Sequence, residues 1–365
     1  MSDETIPWWE PRLGAPVRDA VQQVLDDDYI NDGPVTRALE ARIAEIAGVE
    51  YGVATSSCTT ALAISLIAAG VGHGDEVIVP DITFIATASA VKLAGAEVKL
   101  VDVDAARLTI SVERVIAAVG PATKAVIAVD FNGRAADYAA LEDVCQERGL
   151  VLICDSAEAL GSRCDGRAMG SYGAAGCFSF SAHKIVFAGQ GGVAVTDDAA
   201  FHARLRDLRD HARREEGPFR DVMYASVGFN FKYPNLLAAV AVAQLDELDE
   251  RLSHAKTRDR WYRELLHDCP GVSFPGEPQK EGEACLWADI FADDQETLIK
   301  AFGDNGIGFR RFFLPLHRQD PYRQPDDAFP NAIEAWKKGV WLPCALSLTH
   351  GQAQRVAEIC HQAGE

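Results

Sequence analysis

Lys184 follows an apolar run, Phe178-Ser179-Phe180, and precedes a glycine-rich stretch, Gly189-Gln190-Gly191-Gly192. A lysine placed just after a buried strand can lose its proton and attack a carbonyl, forming a Schiff base. The glycines let the backbone pass close to a ligand. Most lysines are solvated, so this segment alone does not decide its chemistry. Upstream, Leu152-Ile153-Cys154-Asp155-Ser156-Ala157-Glu158 puts a carboxylate at the C-terminal end of an apolar strand, the edge where open α/β sheets bind ligands. Asp155 is equally placed to cap a helix opening at Ser156. Ala54-Thr55-Ser56-Ser57-Cys58-Thr59-Thr60 runs from a strand into a helix and gathers hydroxyls and free N–H groups at a positive helix end, a seat for phosphate. Such residues also cap helices without any ligand. Gly228-Phe229-Asn230-Phe231-Lys232 sets an amide and a cation among aromatics, either for binding or as a loop packed on the core.

One cofactor needs all these parts. Pyridoxal 5′-phosphate (PLP) requires a lysine for its aldehyde, an acid for its pyridine nitrogen, a phosphate cup and an aromatic ring against its face. Phe84, in Asp81-Ile82-Thr83-Phe84, follows another strand and can supply that ring.

The elements that must position these residues are short apolar runs: Tyr51–Ala54, Glu76–Val79, Glu97–Val101, Lys124–Val129, Leu150–Cys154, Ala175–Phe180 and Gly192–Thr196. Continuous rather than alternating apolarity suits strands buried on both faces of a mainly parallel sheet. Helices lie between them. Val35–Ala47 stops at Gly48 and Tyr138–Arg148 stops at Gly149. The fold class is therefore α/β: a large domain with a seven-stranded sheet over residues 1–250, and a smaller α+β domain over 251–365. A single long helix is expected from Asn235 through NLLAAVAVAQLDELDERL, linking the two. Trp8 and Trp9 are expected at a domain or subunit seam. GVGHGD at 70–75 precedes its strand and leaves GxGxxG incomplete, which excludes a dinucleotide fingerprint there.

A chain of 365 residues that is 48% hydrophobic builds a sizeable core, and its 24% charged residues do not suggest disorder. With 54 acidic against 35 basic residues the net charge is −19, which disfavours nucleic acid or an anionic membrane as partner. No stretch reaches the roughly 18–20 apolar residues of a membrane span. The acidic first residues carry no signal pattern. The nine cysteines form no CxxC or zinc-finger spacing, so no metal site is expected and they read as buried free thiols of a cytoplasmic protein.

The sequence resembles the DegT-type sugar aminotransferases, a branch of the fold-type I PLP enzymes, over nearly its whole length. The resemblance rests on GDEVIVPDITFIATASAV (74–91), DSAEALGS (155–162), FSFSAHKIVFAGQGG (178–192), GFNFKYPNLLAAVAVAQLDELD (228–249), RRFFLPLHRQDPY (310–322) and WLPCALSLTHGQ (341–352). It implies that Lys184 carries PLP and shuttles the proton, that Asp155 pairs with the pyridine nitrogen and that Phe84 stacks on the ring. Cys58, Thr59 and Ser179 would contact the phosphate. Glu158 stands where relatives carry Gln or His, near the phenolic oxygen. Asn230 resembles the residue that reaches the phosphate of a neighbouring subunit, which implies a homodimer with shared active sites. His183, Arg310 and His317 are the expected substrate contacts. Cys58, Asp130, Lys232 and Arg311 depart from the family pattern.

The implied reaction moves an amino group from glutamate to a nucleotide-linked keto-sugar. The closest pattern is that of 4-amino-4,6-dideoxy sugar makers of the perosamine or bacillosamine type, which serve cell-surface polysaccharides. Rival readings are an aminotransferase for an 8-keto octulosonate, a PLP-dependent sugar dehydratase, and a PLP-binding regulator without turnover. Dehydratase relatives replace the lysine by histidine. Here His183 is adjacent, but Lys184 keeps the spacing to the glycine loop.

Overall fold

Seven short strands form the central sheet of the computed structural model, which describes residues 5–214, 222–275 and 280–364. The acidic opening residues 1–4 lie outside them. The strands are β1 (Tyr51–Thr55), β2 (Glu76–Pro80), β3 (Glu97–Val101), β4 (Thr123–Val129), β5 (Val151–Asp155), β6 (Ala175–Ser179) and β7 (Gly192–Thr196). Their order is β1-β7-β6-β5-β4-β2-β3. β7 runs antiparallel to β1 and β6, and the other pairings are parallel. This is the mainly parallel seven-stranded sheet the apolar runs predict. Val77, Val79, Ile127 and Ile153 pack on one face and Ile78, Val126, Ala128 and Cys154 on the other, so both faces are covered.

The helices of this part are α1 (Ala15–Asp26), α2 (Pro34–Ala47), α3 (Cys58–Ala68), α4 (Ala86–Leu93), α5 (Val112–Ala118), α6 (Tyr138–Arg148), α7 (Ala199–Arg209), α8 (Asn235–Leu245) and α9 (Leu248–Leu265). The expected single long helix is thus two, broken at Asp246-Glu247. Acids oppose the dipole at the end of one helix, whereas Asp249 and Glu250 favour the first turn of the next.

A second, antiparallel sheet holds β8 (Val272–Ser273), β9 (Asp289–Ala292), β10 (Arg310–Arg311) and β11 (Gly339–Trp341) in the order β8-β9-β11-β10. Its own core gathers Ile290, Phe302, Val340, Leu342 and Val356. The N-terminal segment, grouped by sequence with the first unit, runs along these later elements. Ile6 bridges Ile307, and the Cys344 N–H donates to the Trp8 carbonyl at 2.8 Å. Gly308 permits this, because a Cβ there would collide with the Trp8 nitrogen. All nine cysteines are buried free thiols. No helix of the described residues is long and apolar enough to cross a membrane.

Candidate active site

The C-terminal ends of β1, β2, β5 and β6 open onto one cavity of about 400 Å³, closed from the far side by Trp287, Arg310 and Phe313. Cys58, Thr59, Phe84, Asp155, Glu158, Ser179, His183, Lys184 and Arg310 all line it, so nine of the residues singled out in the sequence converge there.

The turn after β6 is fixed by the Lys184 N–H on the Ser181 carbonyl at 3.1 Å and the Ala188 N–H on the Phe180 carbonyl at 2.9 Å. Lys184 Nζ then lies 3.2 Å from Glu158 Oε1 and 5.0 Å from the centre of the Trp287 ring. The other Glu158 oxygen accepts the Asn132 N–H at 2.7 Å. Asn132 adopts a left-handed conformation, φ 54°, and its side chain exchanges hydrogen bonds with the Trp287 backbone. One residue therefore seats both neighbours of the lysine.

Asp155 ends β5 and is buried. It accepts the Thr87 O–H at 2.7 Å and the Ala157 N–H at 3.3 Å. Burial pushes its pKa up to about 6; the Thr87 hydrogen bond and Lys184 pull it down, while the Glu158 charge pushes it up. A buried carboxylate raised in this way gains from a cation placed opposite it.

The helix cap weighed for the segment after β1 is present. Ser57 and Thr60 form a capping box, with the Thr60 N–H on Ser57 Oγ at 3.2 Å and the Ser57 N–H on Thr60 Oγ1 at 3.1 Å. Helix geometry leaves the Cys58 and Thr59 N–H groups without intrahelical acceptors. The loop above them needs glycine, since a Cβ on Gly192 would sit 2.5 Å from the Cys58 nitrogen. The Cys58 side chain turns into the core, where burial raises its thiol pKa well above the usual value. Phe84 is 57% exposed, a ring with a free face, and packs 5.7 Å from Phe313. Ser179 Oγ accepts the Ser181 N–H at 3.3 Å at the end of β6. The arrangement fits PLP: an amine for the aldehyde, an acid for the ring nitrogen, a flat aromatic wall and a positive helix end for phosphate.

At the mouth, Trp8 packs 5.3 Å from the His183 ring, and the Arg310 guanidinium sits 4.6 Å over the Trp8 ring. The Trp8-Trp9 pair thus lies at a seam, between the lysine loop and the second sheet. Burial, with Arg310 and Lys184 nearby, lowers the His183 pKa. Among the described residues Arg310 has no carboxylate partner.

Two expected participants lie elsewhere. His317 is a correction: it is fully buried, donating its N–H to Asp81 at 2.8 Å, with its ring 2.6 Å from the same carboxylate and stacked on Phe329. It braces the 310–322 stretch and does not line the cavity. Asn230 is exposed and pairs with the Asp210 backbone, outside this chain's own cavity. Of the positions that depart from the family pattern, Lys232 bonds Asp210 at 2.6 Å and Arg311 pairs with Glu296, both away from the cavity.

The DegT/DnrJ/EryC1/StrS aminotransferase family model matches residues 11–361. The chain belongs to this family. Among solved structures it is similar to the aminotransferase TlmJ from Streptoalloteichus hindustanus, with 29% identity over 98% of both chains and a TM-score of 0.92. It is also similar to DesI, solved in the presence of its TDP-sugar product, with 30% identity over 100% of this chain and 94% of that one and a TM-score of 0.91. A third likeness, to 3-amino-5-hydroxybenzoic acid synthase, has 27% identity over 100% of this chain and 99% of that one and a TM-score of 0.91.

In this member of the DegT family, Thr87 and Trp287 escaped the sequence reading. Thr87 had a usable signal, since it follows Phe84 by one helical turn. Trp287 had none, because its place depends on the distant Asn132.

Proposed function

We propose that the chain is a PLP-dependent aminotransferase that moves an amino group from glutamate to a nucleotide-linked keto-sugar, with a 4-keto-6-deoxy sugar as the preferred acceptor. The observation that carries the cofactor is the meeting of the Lys184 amine, the Asp155 carboxylate and the N-terminus of α3 around one cavity with the Phe84 ring at its side. The sugar assignment rests on the family and on the likeness to DesI.

Bound PLP supplies an electron sink for negative charge on the carbon next to the nitrogen. The chain's residues do the rest. Lys184 Nζ would hold the cofactor covalently and, when free, would move the proton between the substrate carbon next to the amino nitrogen and the cofactor carbon that bore the aldehyde. Glu158 and Trp287 keep the amine over the cavity. Asp155, oriented by Thr87, holds the proton on the ring nitrogen. Cys58, Thr59 and Ser179 bind the phosphate, and His183 and Arg310 orient the substrate. Lys184, not His183, presents its amine to Glu158, which favours amino transfer over the dehydratase reading.

The site is read as shared between two copies in a homodimer. Asn230 is exposed and lies outside its own cavity, and Val227, Met223 and Tyr224 nearby expose 86%, 59% and 61% of their surface. Sedimentation at micromolar concentration tests this; a monomer contradicts it.

The activity test uses purified enzyme with PLP, glutamate and GDP-, UDP- or dTDP-4-keto-6-deoxy sugars, read by mass spectrometry. An aminated sugar is the expected product. Amination of none of the three rejects the sugar assignment. Borohydride fixation of a PLP mass on Lys184 tests the cofactor separately.

A further inference from the structure

The turn that carries Asp155 rests on a second carboxylate. Asp130 follows β4, and its N–H donates to the Asp155 carbonyl at 3.0 Å. Val129 lines the cavity, whereas Asp130 is fully buried behind it. One Asp130 oxygen accepts the Tyr138 O–H at 2.5 Å and the other accepts the Ser156 O–H at 2.6 Å. Ser156 is the chain neighbour of Asp155, so Asp130 holds that turn through backbone and side chain together. Tyr138 is fixed in turn: its ring stacks on Tyr172 at 4.1 Å, and Arg167 lies 4.1 Å over the Tyr172 ring.

Two other buried carboxylates of this region have basic partners, Asp289 with Arg134 and Glu158 with Lys184. Asp130 has only hydroxyl and N–H donors among the described residues. Burial pushes its pKa up to about 7, the Ser156 and Tyr138 hydrogen bonds hold it down, and the Asp155 charge adds to the rise. The titratable groups facing Asp130 are Tyr138 on α6 and Cys154 and Asp155 on β5; those facing Asp155 are Cys58 on α3, Cys177 on β6, Glu158 and Lys184. Burial raises the phenol and the three thiols and keeps them neutral, so of the groups facing Asp130 only Asp155 changes charge near neutrality.

We propose that Asp130 is a positioning residue that fixes the Asp155–Ser156 turn and, by its negative charge, raises the pH at which the ring nitrogen opposite Asp155 loses its proton. The inference rests on reading the cavity as a PLP site. Its sign is set by electrostatics: an ionised Asp130 favours a cation beyond Asp155, and a neutral one does not.

The test loads the enzyme with PLP carrying ¹⁵N in the ring and follows the ¹⁵N chemical shift from about pH 6 to about pH 10. In D130N the transition from protonated to unprotonated nitrogen is expected about one unit lower than in wild type. Y138F keeps the carboxylate but removes a donor to its charged form, so Asp130 stays neutral to higher pH and the transition moves the same way by less. This variant carries the test if D130N does not fold. Melting curves would register a merely structural role, which would leave the ¹⁵N curve in place. Curves of folded D130N or Y138F that superimpose on wild type overturn the proposal for Asp130 alone. A wild-type enzyme that takes up no PLP overturns the cofactor reading and this inference with it.

Discussion

The Thr87 hydroxyl and the Asp155 carboxylate meet at 2.7 Å, with Asp155 lining the cavity and Thr87 buried behind it. Thr83 Oγ1 lies 2.9 Å from the same Thr87 oxygen; with the Thr87 proton committed to Asp155, Thr83 is the donor of that pair. The hydrogen bond favours the ionised acid, so Thr87→Val should raise the Asp155 pKa above its present value of about 6. A hydrogen bond to a charged group contributes about 1.5 kcal/mol, which corresponds to about one pH unit. The acid limb of kcat/KM should therefore move to higher pH by up to about one unit. An unmoved limb in a folded variant would show that ionised Asp155 does not govern it.

Lys184→Ala removes the only cavity-lining lysine among the described residues. Turnover should fall by at least about a hundredfold, the scale of a lost general base. PLP should still associate through the phosphate seat and Asp155 but should leave no borohydride-fixed mass on the protein. Transamination at the wild-type rate would remove the basis of the functional reading.

Most of the site was legible because it is built at strand ends. Cys58, Phe84, Asp155, Ser179 and Lys184 each follow an apolar run, and parallel pairing with a shared C-terminal edge brings such residues together. What was not legible depends on contacts made across the chain. Asn-Gly in VDFNG favours the left-handed turn at Asn132, but that this turn seats Glu158 and Trp287 depends on residues far along the chain. The break at Asp246-Glu247 lay inside a run whose apolar period continued. The motif around His317 suggested a substrate contact, but its partner Asp81 lies 236 residues away in the chain and satisfies it in the interior.

Arg310 stands at the mouth on the Trp8 ring. A guanidinium without a carboxylate partner among the described residues, beside the candidate cavity, is placed to bind an anionic group of the donor or the acceptor. Arg310→Ala should raise the KM of that substrate by about tenfold or more, the scale of a lost charge-assisted hydrogen bond, with little change in melting temperature. Separate half-reactions, with glutamate and with the keto-sugar, identify which substrate loses affinity. Unchanged KM values for both would exclude Arg310 from binding.

His317 should govern stability and not turnover. Burial pushes the Asp81 pKa up to about 6, against the hydrogen bonds and charge of His317, which pull it down. A carboxyl raised in the folded state binds its proton more tightly there than in the unfolded chain. Its unfavourable contribution therefore appears as pH rises from about 4 through about 6 and is complete above that window. His317→Ala removes the imidazole that favours ionised Asp81, raises its pKa further and leaves the buried carboxylate with the backbone N–H of residue 317 but no basic partner. The loss should approach about 3–5 kcal/mol in urea titrations near pH 8 and be smaller near pH 5, where Asp81 keeps its proton. The fraction that remains folded should turn over at nearly the wild-type kcat. A kcat reduced tenfold with unchanged urea midpoints would return His317 to the substrate site.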